Sequence, residues 1–147
     1  MLPRWHLFWG AVVSCLLLYV APGLQWWYYA LFFCASVFID ADHYITAVHA
    51  TKKWKLADAF RYYELLNACV ISDRARGIRK KYDFHVFHTI EFHLCIALLG
   101  LWWTPFFYLF LGMAFHSLLD IYSLLDRDVL YMREFFLSGW LWKRFVR

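Results

Sequence analysis

Two things are scarce in this chain of 147 residues: paired cysteines, and basic charge within its long apolar stretches. Cys15, Cys34, Cys69 and Cys95 stand far apart with no Cys-x-x-Cys pair, which excludes a disulfide framework and a structural zinc knuckle. Three of them lie in apolar segments, where cysteine acts as a small buried hydrophobe. Lys and Arg are missing altogether from those segments; they are confined to Arg4, to the middle between Lys52 and Lys81, and to the tail from Arg127 onward. Basic stretches beside apolar ones read as cytoplasmic loops meeting anionic lipid, so no nucleic-acid partner is expected.

What is present is hydrophobic. The composition is 63% hydrophobic and 23% aromatic, with a mean hydropathy of +0.48, far from an ordinary soluble domain. The expected fold is all-α: a single polytopic membrane domain over 1–147, with helices at about 5–20, 25–48, 84–103 and 105–125. Arg4 before an apolar run resembles a signal peptide, but Tyr19 and Pro22 suit no cleavage site, so the first helix is expected to be retained. Ala21-Pro22-Gly23 and Thr104-Pro105 mark the turns of two hairpins. Aromatic residues, Trp26 to Tyr29 and Trp102-Trp103, flank those uncharged turns as an interfacial belt. The basic clusters lie on the opposite side, so both termini, the connection 51–83 and the tail 126–147 are expected to be cytoplasmic. Within the connection, Leu56, Phe60, Tyr63 and Val70 recur at near-helical spacing and predict an amphipathic helix on the membrane surface.

Into the apolar stretches are set Asp40, Asp42, Glu91 and Asp120, interleaved with His43, His85, His88, His93 and His116. A carboxylate at the bilayer centre costs roughly 2.5–3.5 kcal/mol even on the lenient insertion scale, so each needs a partner or a cavity. With no basic residue at that depth, a divalent metal is the expected counter-charge. Antiparallel helices would bring these groups to one layer, roughly 6–14 Å inside the cytoplasmic boundary. His116 and Asp120 are one helical turn apart and can address one ion. Asp42 lies about 160° around a regular helix from Asp40. Both are ligands only if that helix is distorted or two ions are spanned; otherwise one of them orients a histidine. His85, His88 and Glu91 share a stripe, while His93 lies about 140° from His88. His6 and His49 have no acid nearby in sequence and read as interfacial anchors. A set of several His and Asp suits zinc first, manganese or iron also, as one ion or two.

Asp40-Ala41-Asp42-His43, then His88 to His93, then His116 to Asp120 resemble, in order, the motifs of the bacterial inner-membrane metal-dependent hydrolase family, the LexA-regulated type. There is also a distant likeness to zinc-dependent phospholipase C. The resemblance implies metal binding by Asp42, His43, His88, His93, His116 and Asp120, with Asp40 as ligand or base. Thr89 and Ile90 stand where the family has Arg-Gly, which argues against a break in helix three.

The expected activity is hydrolysis of a phosphoester in a membrane lipid or lipid-like substrate, with Asp40 or Glu91 moving protons. Arg74, Arg76 or Arg79 would hold the substrate phosphate. A metal-ion carrier is the alternative, and a diiron oxidation enzyme a third. A homo-oligomer through Gly112 and Ala114 is a further possibility.

Overall fold

In apolar surroundings a backbone satisfies its own polar groups, and these apolar runs form helices. The computed structural model describes residues 3–82 and 84–146, and no strand occurs among them. Seven helices follow one another among the described residues: α1 Pro3–Val20, α2 Trp26–Phe38, α3 Ala41–Thr51, α4 Leu56–Ala75, α5 Ile90–Leu99, α6 Thr104–Asp126 and α7 Leu137–Phe145. Single 3₁₀ turns occupy Val86–His88 and Leu130–Met132. Pro105 stands in the first turn of α6, where its missing N–H costs nothing.

Among the described residues two stretches are long and apolar enough to cross a membrane, Trp26–Thr51 and Thr104–Asp126, against the four expected. Arg4–Val20 and Ile90–Leu99 are shorter apolar helices. Helix three departs most from expectation. It begins at Ile90 rather than residue 84, and at 10 residues it rises only about 15 Å, half the hydrocarbon thickness of about 30 Å. The reason is local: Thr89 is extended, and its Oγ1 caps α5 by accepting from Phe92 N. The turn before it is tied down instead by Asp42, whose Oδ2 accepts from Phe87 N at 2.9 Å. No glycine was needed to break the chain here. A capping threonine did it.

Helix two is also broken, at Ile39–Asp40, into α2 and α3. α2 packs against both α1 and α6, α5 against α6, and α3 against α4. The α2–α6 crossing turns on Gly112, where an added methyl group would collide with the Phe32 carbonyl and crowd Ala35. Gly112 thus serves a contact within the chain, the role sequence reading had offered to a second copy. Ala35, Ile39 and Met113 form the buried core at this crossing, with Phe92, Ile96 and Leu109 packed around them. Outside it the apolar surface faces outward: Leu118, Tyr122 and Trp102 are all largely exposed.

Candidate metal centre

The break at Asp40 resolves the geometric conflict between the two aspartates. Asp40 sits outside regular helix and begins α3. As a result both carboxylates reach the same imidazole from opposite sides: Asp40 Oδ1 lies 3.4 Å from His88 Nε2, and Asp42 Oδ2 lies 3.2 Å from His88 Nδ1.

Four side chains from three parts of the chain then converge. Asp40, His88, His116 and Asp120 each offer one ligand atom, all within 4.8 Å of one another. His116 Nε2 is 3.2 Å from Asp40 Oδ1, 3.5 Å from Asp120 Oδ2 and 3.4 Å from His88 Nε2. His88 Nε2 is 3.7 Å from Asp120 Oδ2. Ligand atoms around a tetrahedral zinc with bonds of about 2.0–2.1 Å stand roughly 3.3–3.4 Å apart. Five of the six edges, at 3.2–3.7 Å, lie close to that spacing, and the sixth, between Asp40 and Asp120, is within 4.8 Å.

The chemistry of the donors agrees with the distances. His116 Nδ1 lies 2.8 Å from the Ser36 carbonyl oxygen, which can only accept, so Nδ1 carries the hydrogen. His88 Nδ1 faces the Asp42 carboxylate in the same way. In their neutral form both imidazoles turn an Nε2 lone pair toward the carboxylates. Two carboxylates and two imidazoles converging on one spot call for positive charge between them, carried by a metal ion or by protons on the rings. His116 is fully buried and His88 nearly so. These residues fit a divalent metal.

A second group, Asp42, His43 and His88, also converges within 4.8 Å. It shares His88, so two ions would need that imidazole between them. His43 and His85 stack with centroids 3.6 Å apart. His43 Nε2 lies 3.4 Å from Asp40 Oδ1. His85 Nδ1 and Asp42 Oδ1 are buried without hydrogen-bond partners, 3.9 Å from each other. The centre opens onto a cavity of about 870 Å³ lined by Asp40, His43, His85, His88 and Asp120, by α4 along one wall, and by the chain around Arg127 and Arg133.

No family model, curated protein or solved structure matches the chain. Function has to be read from this geometry.

Two expected site residues are placed elsewhere. Glu91, expected to move protons, accepts from Leu137 N, Ser138 N and Ser138 Oγ at 2.7–3.0 Å. It thereby caps the start of α7, where a carboxylate suits the helix dipole. His93 Nδ1 bonds the Thr89 carbonyl at 3.0 Å, and its Nε2 meets Ser117 Oγ at 3.1 Å. Neither belongs to the converging groups.

The three arginines expected to hold phosphate are also engaged away from the centre. Arg74 donates to the Arg127 carbonyl at 2.6 Å and pairs with Asp128. Arg76 pairs with Asp73. Arg79 lies over the Tyr131 ring at 5.2 Å.

Two residues that sequence reading passed over are at the centre. His6, read as an interfacial anchor, is buried at 1% exposure and stacks on His116 with centroids 3.9 Å apart. Its Nε2 lies 3.2 Å from Asp120 Oδ1. Arg133 reaches Asp120 Oδ2 through Nη1 at 3.2 Å. A basic partner thus enters the layer from the tail, contrary to the expectation that the acids had none. With the imidazoles neutral, one guanidinium among Asp40, Asp42 and Asp120 leaves a negative surplus among the described residues.

Proposed function

We propose that this chain is a multi-pass inner-membrane metal-dependent hydrolase that cleaves a phosphoester of a lipid or other amphiphile. The observation that carries it is the convergence of two carboxylates and two tautomer-fixed histidines at the polar end of a mostly apolar cavity. A two-His, two-carboxylate set favours zinc, with manganese or iron also accommodated. Support for the membrane comes from the outward apolar surface of α2, α3 and α6, which a soluble core would bury. Four passes, with both termini and the 51–83 connection cytoplasmic, follow from the one-sided placement of Lys and Arg. The ordered motifs add the family resemblance.

In this reading Asp40, His88, His116 and Asp120 hold the ion, and Asp42 and the Ser36 carbonyl aim the two histidines. When bound, an ion here would supply Lewis acidity toward a phosphoryl oxygen by taking it as a further ligand beyond these four. His43, half-buried at the cavity wall beside Asp40, is placed to move a proton. The apolar walls hold the tail of the substrate and keep bulk water from the reacting bond.

The test is turnover on a lipid panel by protein loaded with zinc, manganese or iron. Release of phosphate or a phosphorylated head group, stopped by chelator and restored by metal, is expected. No turnover with any of the three, together with metal uptake into sealed vesicles, would favour a carrier.

A further inference from the structure

The cavity has an uneven distribution of charge that the metal centre does not explain. Along α4 it is lined by Leu56, Ala59, Phe60, Leu66 and Val70, with Tyr63, Glu64 and Asn67 among them. Among the described residues its basic lining is Arg127 and Arg133, and Glu64 and Glu134 add acids beside those of the centre. Arg127 is exposed and its Nε donates to the Ser123 carbonyl at 3.2 Å. Arg133 is different: its side chain is only 11% exposed and it stands directly against Asp120.

Arg133 is held in place by its backbone neighbourhood. Its N–H donates to Leu130 O at 3.2 Å and its carbonyl accepts from Lys81 Nζ at 3.1 Å. Two residues on, the Phe135 carbonyl accepts from Ile90 N at 2.9 Å. Between them Glu134 is gripped by Lys81 and Lys143, each at 2.9 Å. A guanidinium offers five N–H donors in a rigid fork, and the bond to Asp120 engages Nη1. The fork matches a phosphoryl group, which it can take by two parallel bonds.

We infer that Arg133 recognises the phosphoryl group of an amphiphile whose hydrocarbon lies along α4. The site therefore selects anionic over neutral head groups and alkyl phosphates over free phosphate. The assignment deepens the hydrolase reading and rests on it for the orientation of the substrate, but binding itself needs no turnover. Arg133 is the group sought among Arg74, Arg76 and Arg79, supplied instead from beyond the last apolar span.

The experiment measures equilibrium binding to the full chain in neutral detergent, loaded with zinc. The probes are dodecylphosphonate, whose C–P bond resists hydrolysis, inorganic phosphate, and a neutral dodecyl glycerol ether. Dodecylphosphonate should bind at least tenfold tighter than inorganic phosphate. Arg133→Gln should weaken the phosphonate by roughly tenfold or more, leave the neutral ether within twofold, and keep the zinc. Arg133→Lys should fall between, since it retains charge but not the fork, and it serves where the glutamine variant folds poorly. Arg127→Gln and Arg76→Gln should bind as the parent does. Unchanged phosphonate binding in both Arg133 variants would overturn the inference, as would equal loss of phosphonate and neutral ether. Free phosphate binding as tightly as the phosphonate would overturn the amphiphile assignment. Phosphonate binding through Arg133 without any phosphoester turnover would uphold it while sinking the hydrolase reading.

Discussion

Asp73, near the end of α4, faces donors from its own stretch of chain: Lys80 Nζ at 2.7 Å, the Tyr82 hydroxyl at 2.5 Å, and the Arg76 guanidinium. Asp40 and Asp120 instead face imidazole nitrogens at 3.2–3.5 Å, from His43 and His116 one helical turn away and from His6, His88 and His116 far off in sequence, with Arg133 beside Asp120. The first carboxylate is neutralised by permanent cations and hydrogen donors; it secures a loop and needs nothing more. The second pair is surrounded mainly by groups that are themselves acceptors when neutral. The same residue type meets permanent cations in one setting and mainly imidazoles in the other. The difference lies in the partners, and it marks where a metal could be held.

The contrast breaks most visibly by deletion. His116→Ala combined with Asp120→Ala should abolish bound zinc, while Asp73→Asn should keep the full complement; elemental analysis of purified protein reads both. Equal metal in the two would place the ion outside the proposed centre. A smaller effect is expected at Asp42, which aims His88 without needing to touch the ion. Asp42→Asn should weaken zinc by roughly 10–100-fold, measured by competition with a chelator of known affinity. Retention at parental affinity would show that His88 needs no orienting carboxylate.

Smaller again is His6→Ala, which removes a ring stacked on His116 and a partner of Asp120. A loss of affinity of up to about tenfold is expected in the same competition assay. No change would return His6 to the interfacial role that its sequence neighbours suggest.

The smallest effect belongs to Asp73 and appears only in acid. Hydrogen bonding from Lys80, and then from Tyr82, holds its carboxyl down at about 2, from an ordinary 3.8. A depressed pKa stabilises the folded state above 3.8 and loses that contribution as pH falls toward 2. Thermal melting should therefore show the parent losing more stability than Asp73→Asn between about pH 4 and 2. Parallel curves would mean that Asp73 is paired equally well in the unfolded chain.

Much of the centre was legible because its residues are chemically out of place. Asp40, His88, His116 and Asp120 interrupt apolar runs, and the shared depth of their helices follows from counting residues. The break before α3 was not legible, since hydropathy runs straight through Ile39 and Asp40. Yet that break lets the two aspartates reach His88 together. Glu91 was misread for a related reason: its apolar neighbours suggested depth, while its partners lie in a tail nearly 50 positions away. His6 was set aside for want of a nearby acid in sequence, although its acid stands on α6. The one faint signal for Arg133 was a basic residue among the aromatic and apolar residues 129–142, in a segment read only as tail. Long-range pairing of this kind leaves no periodicity to detect.

The two oxygens of Asp120 are claimed from opposite directions, by His6 on α1 and by Arg133 from the return of the chain after α6. This has a consequence for biogenesis. On the proposed membrane-hydrolase reading, a nascent chain that has delivered α1 and α6 already presents His6, Asp40, His88, His116 and Asp120, before the arginine and the strap held by Glu91 have folded back. Metal capture and substrate recognition would then mature in sequence, the first during insertion and the second once the tail has been released. A half-made protein would collect an ion before it could grip a lipid.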